Sequence, residues 1–334
     1  MDTIRGRATP RRVRFRPTTG RHEGRTAVDD VLLVGEALVD IVERLDGTRS
    51  EHPGGSPANV ALGLARLGRS VHLLTRIGDD RRGRLVREHL ASSGVRIAEG
   101  SVVAGRTSTA TAVLDPTGAA SYQFDLDWRL PPAPDLGGFR ALHTGSIAAF
   151  LPPGGDDVLA LVVKAAGHLT VSYDPNARPR LMGTARDARR RVERIVTLAD
   201  VVKVSDEDLT WLAPGEDPED TAREWLARGP SVVVLTRGGS GAVGFAASGR
   251  VAVPSAPVTV ADTVGAGDAF MAGLLDHLAT ADLLGAHRRD ALRELDRDTL
   301  GATLDQAVRS AAITCTRAGA DPPTRAELDT WTPT

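Results

Sequence analysis

The sequence predicts an α/β fold: a central, mostly parallel sheet with helices on both faces, plus a small β lid. Short apolar runs at 31–35 (VLLVG) and 231–236 (SVVVLT) have the composition of strands that are buried on both faces. Helical segments alternate with such runs along the chain, which is the order of βαβ crossovers. The segment 108–124 instead alternates in the manner of a hairpin, and this pattern predicts the lid.

The elements follow one another without a linker that would divide the core. The predicted lid pairs the hairpin, whose turn is the DPTG at 115–118, with residues 40–52, so that its segments cover about 38–53 and 107–125. The other predicted elements are a strand at 31–35, a helix at 58–67, one strand at 71–78, a helix at 83–92, a strand at 141–147, a helix at 156–166, a strand at 169–174, a helix at 184–199, and strands at 201–205 and 231–236.

Composition limits the class of protein. The 334 residues are 41% hydrophobic and 25% charged, as in ordinary globular proteins, and the net charge of −2 does not favour a nucleic-acid partner. The single cysteine, Cys315, excludes an internal disulfide, and no apolar run is long enough to span a membrane. We therefore expect a cytoplasmic protein without nucleic-acid or membrane partners.

The first 28 residues differ from the rest because they are rich in arginine and lack apolar periodicity. A basic arm can bind nucleic acid, but aromatic residues are almost absent here and no secretory signal follows. We predict that residues 1–28 are a dispensable, disordered basic extension and that residues 29–330 form the folded domain.

The strongest chemical motif is DTVGAGD at 262–268, which leads directly into the amphipathic stretch AFMAGLLDHLA. A glycine-rich turn before a helix lets backbone N–H groups approach an anion, and the helix dipole adds positive potential there. Asp268 follows at the mouth of this anion site. A carboxylate there suits a base that takes a proton from a hydroxyl during phosphoryl transfer. The alternative is that Asp268 only caps the helix.

A second motif is GGSPANVA at 54–61, where paired glycines precede a helix. Asn59 lies in the first turn of that helix, and its amide has the donors and the acceptor needed to bind a polyol. Taken alone this signal is weak, because similar glycine-proline loops are common turns.

The two motifs together resemble those of the ribokinase-like, PfkB-type carbohydrate kinases, and most closely those of fructokinases. The resemblance includes Gly68 and Gly78 after the first motif, GEALVD at 35–40, DPNAR at 174–178, VKVSDEDL at 202–209, TRGGSGA at 236–242 and AGA at 318–320. It spans about 31–324 and implies the ribokinase-like fold.

This resemblance implies a role for each matching position, with ATP and Mg²⁺ as cofactors and K⁺ as a further candidate. The expected anion hole and base are Gly265, Ala266, Gly267 and Asp268. The expected sugar contacts are Asp40, Gly54, Gly55, Asn59 and Arg178. The expected nucleotide contacts are Lys203, Ser205, Thr236, Gly238, Gly241 and Gly319, with Asp208 at magnesium and Asp262 at a monovalent cation.

One position departs from the family pattern. Where relatives carry an Asn-x-x-Glu segment near magnesium, this chain has Ser205 and Asp208, with Glu207 as an alternative carboxylate. A shorter carboxylate can still act through water, because Mg²⁺ usually keeps several water ligands.

The motifs favour fructose, phosphorylated to fructose 6-phosphate, over 2-keto-3-deoxygluconate or ribose. A phosphorylated sugar is disfavoured, because Ser56 and Pro57 stand where kinases of such substrates carry a lysine. The lid and the family resemblance also predict a homodimer that pairs through the lid. Two other classes stay open: a non-catalytic sugar or nucleotide sensor, and an NAD-dependent oxidoreductase.

The oxidoreductase hypothesis rests on the glycine spacing at 239–244. A dinucleotide fingerprint needs a helix after its glycines, but the alternating valines that follow predict a hairpin. The histidines His143 and His52 are weaker candidates for ligand contact, and a core or rim position is the better interpretation of both.

Overall fold

The computed structural model describes residues 30–44, 46–114 and 120–332. The predicted turn at 115–118 and the predicted extension at 1–28 lie outside the described residues. In chain order the strands are β1 (Val31–Val34), β2 (Leu38–Glu43), β3 (Arg49–Gly54), β4 (Val71–Leu74), β5 (Ile77–Gly78), β6 (Arg96–Ile97), β7 (Val102–Val103), β8 (Thr109–Leu114), β9 (Ala120–Asp125), β10 (Ala141–Gly145), β11 (Thr170–Asp174), β12 (Val201–Ser205), β13 (Val232–Thr236), β14 (Ala242–Ala246) and β15 (Gly249–Val253).

Helices separate most of these strands. They are α1 (Ser56–Arg66), α2 (Arg81–Ala91), α3 (Gly154–Ala165), α4 (Pro179–Met182), α5 (Ala185–Val196), α6 (Asp206–Leu212), α7 (Pro218–Leu226), α8 (Ala266–Thr280), α9 (Arg289–Arg293), α10 (Arg297–Cys315) and α11 (Arg325–Thr330).

The main sheet of the described chain has nine strands in the order β15-β14-β13-β12-β11-β10-β1-β4-β6. Every neighbouring pair from β6 to β13 is parallel, and β14 runs antiparallel to its two neighbours, β13 and β15. The prediction of a mostly parallel sheet is therefore confirmed.

Both faces of the sheet are covered, as the apolar strands require. In β1, Val31 and Leu33 pack in one hydrophobic cluster, whereas Leu32 and Val34 pack in the other. The first cluster takes its helical residues from α1, α2, α8, α9 and α10, and the second takes them from α3 to α7. Successive side chains of a strand point to opposite faces, so a run that is apolar throughout needs helices on both sides.

The lid is a separate four-stranded sheet in the order β3-β2-β8-β9. Strands β2 and β8 are parallel and join two antiparallel hairpins, in which Asp40 lies opposite His52 and Ala110 lies opposite Phe124. The predicted association of 40–52 with 108–124 is confirmed.

One predicted element is wrong in its extent. The run at 71–78 is not one strand, because β4 ends at Leu74 and β5 pairs with β7 in a two-stranded sheet. The chain bends towards Ser101 between them: Thr75 N donates to Ser101 Oγ over 3.1 Å, and Ile77 N donates to Ser101 O over 2.8 Å. A tertiary partner thus interrupts an apolar run that sequence periodicity could not divide.

Within the described ranges, we find no helix with both the length and the apolar character needed to cross a bilayer.

Candidate active site

The carboxyl ends of the parallel strands meet at one edge of the main sheet. Glu36 follows β1, Asp174 ends β11, Ser205 ends β12 and Thr236 ends β13. Because β12 and β13 pair in parallel register, Ser205 lies directly beside Thr236. In open α/β sheets this edge is where ligands bind.

The glycine-rich turn delivers α8 to the same edge. Gly265 precedes the helix with a φ of 75°, in the left-handed region, and a Cβ on it would lie 2.5 Å from the Cβ of Ala320. A Cβ on Gly267 would lie 3.0 Å from Lys203 Nζ. The helix thus begins with two small residues, Ala266 and Gly267, next to the ammonium group of Lys203. Such an arrangement is suited to binding an anion.

Asp268 stands in the first turn of α8 and not at its cap, because Gly265 holds the cap position. The capping alternative for Asp268 is therefore wrong. Its carboxylate is buried and accepts hydrogen bonds from Ser56 Oγ at 2.7 Å and from Asn59 Nδ2 at 2.8 Å. Burial raises the pKa of Asp268 to about 6, against the lowering effect of these two donors. A buried carboxyl with this pKa is ionised at neutral pH and can still accept a proton.

The lid brings Asp40 to the site from β2. A Cβ on Gly54, at the end of β3, would lie 1.9 Å from Asp40 Oδ2, so this carboxylate occupies the space that the glycine leaves. Burial raises the pKa of Asp40 to about 6, with Arg178 acting to lower it and Asp268 to raise it. Asp40 is thus within electrostatic reach of the carboxylate on α8.

Gly55 joins this lid strand to α1. It has a φ of 107°, and a Cβ there would lie 2.4 Å from the carbonyl oxygen of Glu36. The tight turn places Ser56 and Asn59 at the start of α1, facing Asp268. The two predicted glycine motifs therefore meet in space.

Arg178 lies at the loop after β11 and is half-buried. Its Nη1 donates to Asn176 Oδ1 at 2.6 Å, Asn176 O at 2.8 Å and Ala177 O at 3.0 Å. The guanidinium braces its own loop while its charge acts on Asp40 and on Glu36.

A buried ion pair lies beneath the turn. Lys203 Nζ is 2.9 Å from Asp174 Oδ2, and both side chains are almost fully buried. Burial lowers the pKa of Lys203, but the carboxylates around it, chiefly that of Asp174, raise it overall. Burial, followed by repulsion from Asp174, raises the pKa of Asp208. The lysine is therefore a fixed positive charge next to Gly267.

The loops after β12 and β13 hold the predicted nucleotide residues. Ser205 caps α6 by accepting from Asp208 N at 3.0 Å, and Thr236 Oγ1 donates to Val204 O at 3.4 Å. Gly238 and Gly241 both have positive φ in the loop that leads to β14. Among the described residues, neither glycine has a hydrogen bond to the Asp268 carboxylate.

The segment after Gly241 forms the antiparallel hairpin of β14 and β15. The predicted hairpin is confirmed, and the helix that a dinucleotide fingerprint requires is not there. The oxidoreductase hypothesis loses its only support.

Asp262 and Gly319 are brought together as predicted. Asp262 Oδ2 accepts from Gly319 N at 2.8 Å and Oδ1 accepts from Val264 N at 3.0 Å. Burial acts to raise the pKa of Asp262, but these backbone donors lower it overall. In the described ranges no three His, Cys, Asp or Glu residues cluster with the spacing of a metal site.

The two histidine candidates differ in their surroundings. His143 is buried, with Nδ1 3.0 Å from Ser172 Oγ, and burial together with the charge of Lys203 lowers its pKa to about 3. It is a neutral core residue, in agreement with the core interpretation. His52 is exposed on the lid opposite Asp40.

Sequence reasoning missed four residues of this site: Glu36, Ser56, Asn176 and Asp174. Burial raises the pKa of Glu36 to about 7, and its Oε2 accepts from Ala148 N at 3.0 Å. All four lie inside segments whose resemblance was noted, so the motifs contained the signal. Their roles depend on partners far away in the sequence.

Comparisons with known proteins agree with this geometry. The family model described as pfkB family carbohydrate kinase matches residues 28–327. The chain is 37% identical over 276 residues to a fructokinase of Rhizobium leguminosarum bv. trifolii, covering 79% of this chain and 84% of that protein. It is 38% identical over 261 residues to a fructokinase of Klebsiella pneumoniae, covering 75% and 84%.

Solved structures of other fructokinases are also similar to this chain. The fructokinase of Xylella fastidiosa with bound ATP has a TM-score of 0.79 at 27% identity, covering 91% of this chain and 98% of that one. A double mutant of the fructokinase of Vibrio cholerae O395, in a form with bound fructose, ADP and potassium, has a TM-score of 0.74 at 28% identity, with coverage of 91% and 98%.

Proposed function

The chain belongs to the pfkB family of carbohydrate kinases, and we propose that it transfers the γ-phosphoryl group of ATP to fructose, giving fructose 6-phosphate. The observation that carries this proposal is the position of Asp268: a buried carboxylate with a pKa of about 6, held by neutral donors at the start of α8. A base so placed, beside an opening for an anion, is what phosphoryl transfer to a hydroxyl requires.

The sugar would lie between the lid and the carboxyl edge of the main sheet. Asp40 and Asn59 offer a carboxylate and an amide to its hydroxyl groups, and Gly54 and Gly55 let the backbone approach. Because Asp40 is on a lid strand, lid closure would complete the sugar site and exclude water that would otherwise hydrolyse ATP.

In the reaction, Asp268 takes the proton of the primary hydroxyl as that oxygen attacks the γ-phosphorus. The bond from the γ-phosphorus to the bridging oxygen breaks, and ADP leaves with the electron pair. We expect the N–H groups at Gly265 to Asp268 and the ammonium of Lys203, which lies beside Gly267, to face the developing negative charge. In this structure Ala266 N donates to Thr263 O at 3.2 Å. The pair with Asp174 holds that ammonium in place.

The residues fit ATP with a magnesium ion that keeps most of its water. Asp208 and Asp174 offer carboxylates near Lys203, and the absence of a denser cluster in the described ranges suits an ion held by water and phosphate. The ion would supply neutralisation of phosphate charge. Ser205, Thr236, Gly238 and Gly241 would line the nucleotide side.

Asp262 and Gly319 support a second proposal, a potassium site. Their backbone-braced loop packs against the anion turn through Ala320 and Gly265, so a cation there would stabilise the turn. A fructokinase structure with bound potassium is among the neighbours of this chain. Replacing K⁺ with Li⁺ in the assay buffer should lower the turnover of fructose if the site is used.

We prefer fructose over 2-keto-3-deoxygluconate as the substrate because of the relatives of this chain. The named relatives in both comparisons are fructokinases.

The test is an ADP-release assay with ATP and Mg²⁺ across fructose, ribose, 2-keto-3-deoxygluconate, adenosine and fructose 6-phosphate. Fructose should give the highest kcat/KM, and the product should be identified as the 6-phosphate by ³¹P NMR. Preferred turnover of another sugar would replace fructose as the proposed substrate and leave the proposed mechanism unchanged. ATP binding without turnover of any sugar would favour the sensor alternative.

We also propose that two copies pair through the lid. Strands β3 and β9 form the two edges of the lid sheet, and an edge strand can pair with a strand of another chain. Pairing across a two-fold axis is a low-cost way to cover such an edge. Light scattering should give twice the mass of the 35.2 kDa chain, and a purely monomeric mass would refute this.

A further inference from the structure

A chain of hydrogen bonds links Arg178 to Asp268 through two uncharged side chains. Arg178 Nη1 donates to Asn176 Oδ1 at 2.6 Å, and Asn176 Nδ2 donates to Ser56 Oγ at 2.8 Å. Ser56 Oγ then lies 2.7 Å from Asp268 Oδ1. These hydrogen bonds connect the loop after β11, the start of α1 and the start of α8.

The direction of each of these hydrogen bonds follows from the arginine at one end of the series. Arginine has only donors, so the Asn176 atom that faces it must be the amide oxygen. The Asn176 nitrogen therefore faces Ser56 and donates to its oxygen. With its oxygen accepting this bond, the Ser56 hydroxyl has its proton free to point at the carboxylate of Asp268.

The geometry of the loop after β11 holds the Asn176 side chain in one orientation. Asn176 has a φ of 38°, a left-handed conformation that asparagine tolerates, and its backbone N donates to Asp174 Oδ1 at 3.2 Å. Arg178 Nη1 also holds the carbonyl oxygens of Asn176 and Ala177. The Asn176 amide is therefore fixed from both sides, and Ser56 itself is buried.

We propose that Ser56 and Asn176 are positioning residues of the kinase reaction, forming with Arg178 a one-way hydrogen-bond relay that orients Asp268 and keeps it ionised. This inference rests on the proposed function, in which Asp268 is the base. Asn59 holds the other carboxylate oxygen, so the relay leaves a defined direction from which the sugar hydroxyl approaches.

The relay acts among other charges that face Asp268. Asp174 on β11 raises the pKa of Asp268, Lys203 on β12 lowers it, and Asp40 on β2 interacts with it across the site. Burial is the largest influence and raises this pKa to about 6, while the donors Asn59 and Ser56 lower it. Removing a hydrogen bond to an ionised group should raise the pKa by about one unit.

The experiment compares pH profiles of kcat, at saturating fructose and ATP, for the full-length wild type and three variants. Ser56→Ala should move the acidic midpoint up by about one pH unit and keep most of the activity on the alkaline plateau. Asn176→Gly tolerates the left-handed backbone and should give a smaller shift in the same direction. The double variant should match Ser56→Ala alone, because Asn176 acts through Ser56.

The matched control is Ser310→Ala on α10, where a buried hydroxyl has no hydrogen-bond partner among the described residues. It should leave the acidic midpoint unchanged. Melting curves of all variants identify any that fail to fold, and Ser56→Thr, which keeps a hydroxyl, should restore the wild-type midpoint. An acidic midpoint in Ser56→Ala within about 0.3 unit of the wild type would overturn the relay.

A measurement without turnover separates the two proposals. The infrared carboxyl band that Asp268→Asn removes gives the titration midpoint of Asp268 in the free protein. A midpoint raised in Ser56→Ala supports the relay even if no sugar is phosphorylated, an outcome that would refute the proposed function. Fructose turnover with an unchanged midpoint in Ser56→Ala refutes the relay and leaves the function standing.

Discussion

The two ends of α8 each bury an aspartate, and the two carboxylates have opposite surroundings. Among the described residues, the carboxylate of Asp268, in the first turn, accepts side-chain hydrogen bonds from the uncharged Ser56 and Asn59. Asp276, eight residues later and fully buried, faces the guanidinium groups of Arg69 and Arg325. One residue type on one helix thus meets uncharged donors near one end and positive charge near the other.

The anchor joins four parts of the chain. Asp276 accepts from Arg69 Nε at 2.6 Å, from Gln306 Nε2 at 2.7 Å and from Arg325 Nη2. These partners belong to the loop before β4, to α10 and to α11. The ion cluster fixes α8 against its neighbours, and in this way it also fixes the helix start that carries Asp268.

The comparison shows that burial alone does not decide what a carboxylate does. A buried carboxylate that meets positive charge forms ion pairs, and removing one partner of such a cluster is costly. A buried carboxylate that meets only neutral donors keeps a raised pKa and can exchange a proton near neutrality. The same Asp→Asn change at the two positions should therefore have different consequences.

The largest expected effect is on the rate. Asp268→Asn removes the base, and kcat for fructose should fall by about 10² to 10⁴. ATP affinity should stay close to that of the wild type, because the Asn side chain keeps the shape of the site. Initial rates and calorimetric titration with ATP measure the two quantities. Turnover within threefold of the wild type would remove Asp268 from the role of base.

The second effect is on stability. Asp276→Asn leaves two arginines without their counter-charge and should lower the free energy of unfolding by about 3–5 kcal/mol, as measured by urea denaturation at pH 7.5. At a temperature where the variant is folded, kcat should stay within a few-fold of the wild type. The control is Asp305→Asn, an exposed position on α10, which should change stability little.

A loss of activity in folded Asp276→Asn as large as in Asp268→Asn would break the comparison. It would mean that the anchor contributes to catalysis beyond holding the helix.

The third expected effect is a gain in stability for Asp268→Asn, opposite in sign to the loss expected for Asp276→Asn. The pKa of Asp268 is raised in the folded protein, to about 6 from an ordinary value of 3.8, so ionisation of this group destabilises the fold as pH rises between these values. Asn cannot ionise, and Asp268→Asn should be more stable than the wild type by about 1–3 kcal/mol at pH 7.5. The gain should vanish below about pH 3, where the wild-type carboxyl is mostly protonated in both states.

Urea denaturation at both pH values tests this prediction, with Asp276→Asn as the variant of opposite sign at pH 7.5. A destabilised Asp268→Asn at pH 7.5 would show that the hydrogen bonds of the carboxylate outweigh its burial.

The smallest effect is the pH dependence of catalysis. The base must be ionised, so kcat/KM for fructose should fall at least tenfold per pH unit below about pH 6, where Asp268 and Asp40 both take up protons. The profile of Asp276→Asn should show the same acidic midpoint, because the anchor lies outside the reacting groups. A midpoint shifted in that variant would connect the two ends of the helix.

The sequence by itself determined the fold and the place of the candidate site. Apolar runs that alternate with helical segments predicted the parallel sheet, since strands buried on both faces require helices between them. The turn at 262–268 predicted an anion site and a base, because glycine conformation and the start of a helix are local properties. The predicted sugar residues Asp40 and Asn59 lie close to Asp268, the proposed base.

Only the tertiary structure decided what each carboxylate does. Ser56 is 212 residues from Asp268, and Arg69 is 207 residues from Asp276, so these partners cannot be identified from the sequence near either aspartate. The division of the run at 71–78 likewise depended on a distant residue, Ser101. Hydrogen bonds and charge pairs form between side chains that folding brings together, and the proton affinity of a buried group is set by those partners.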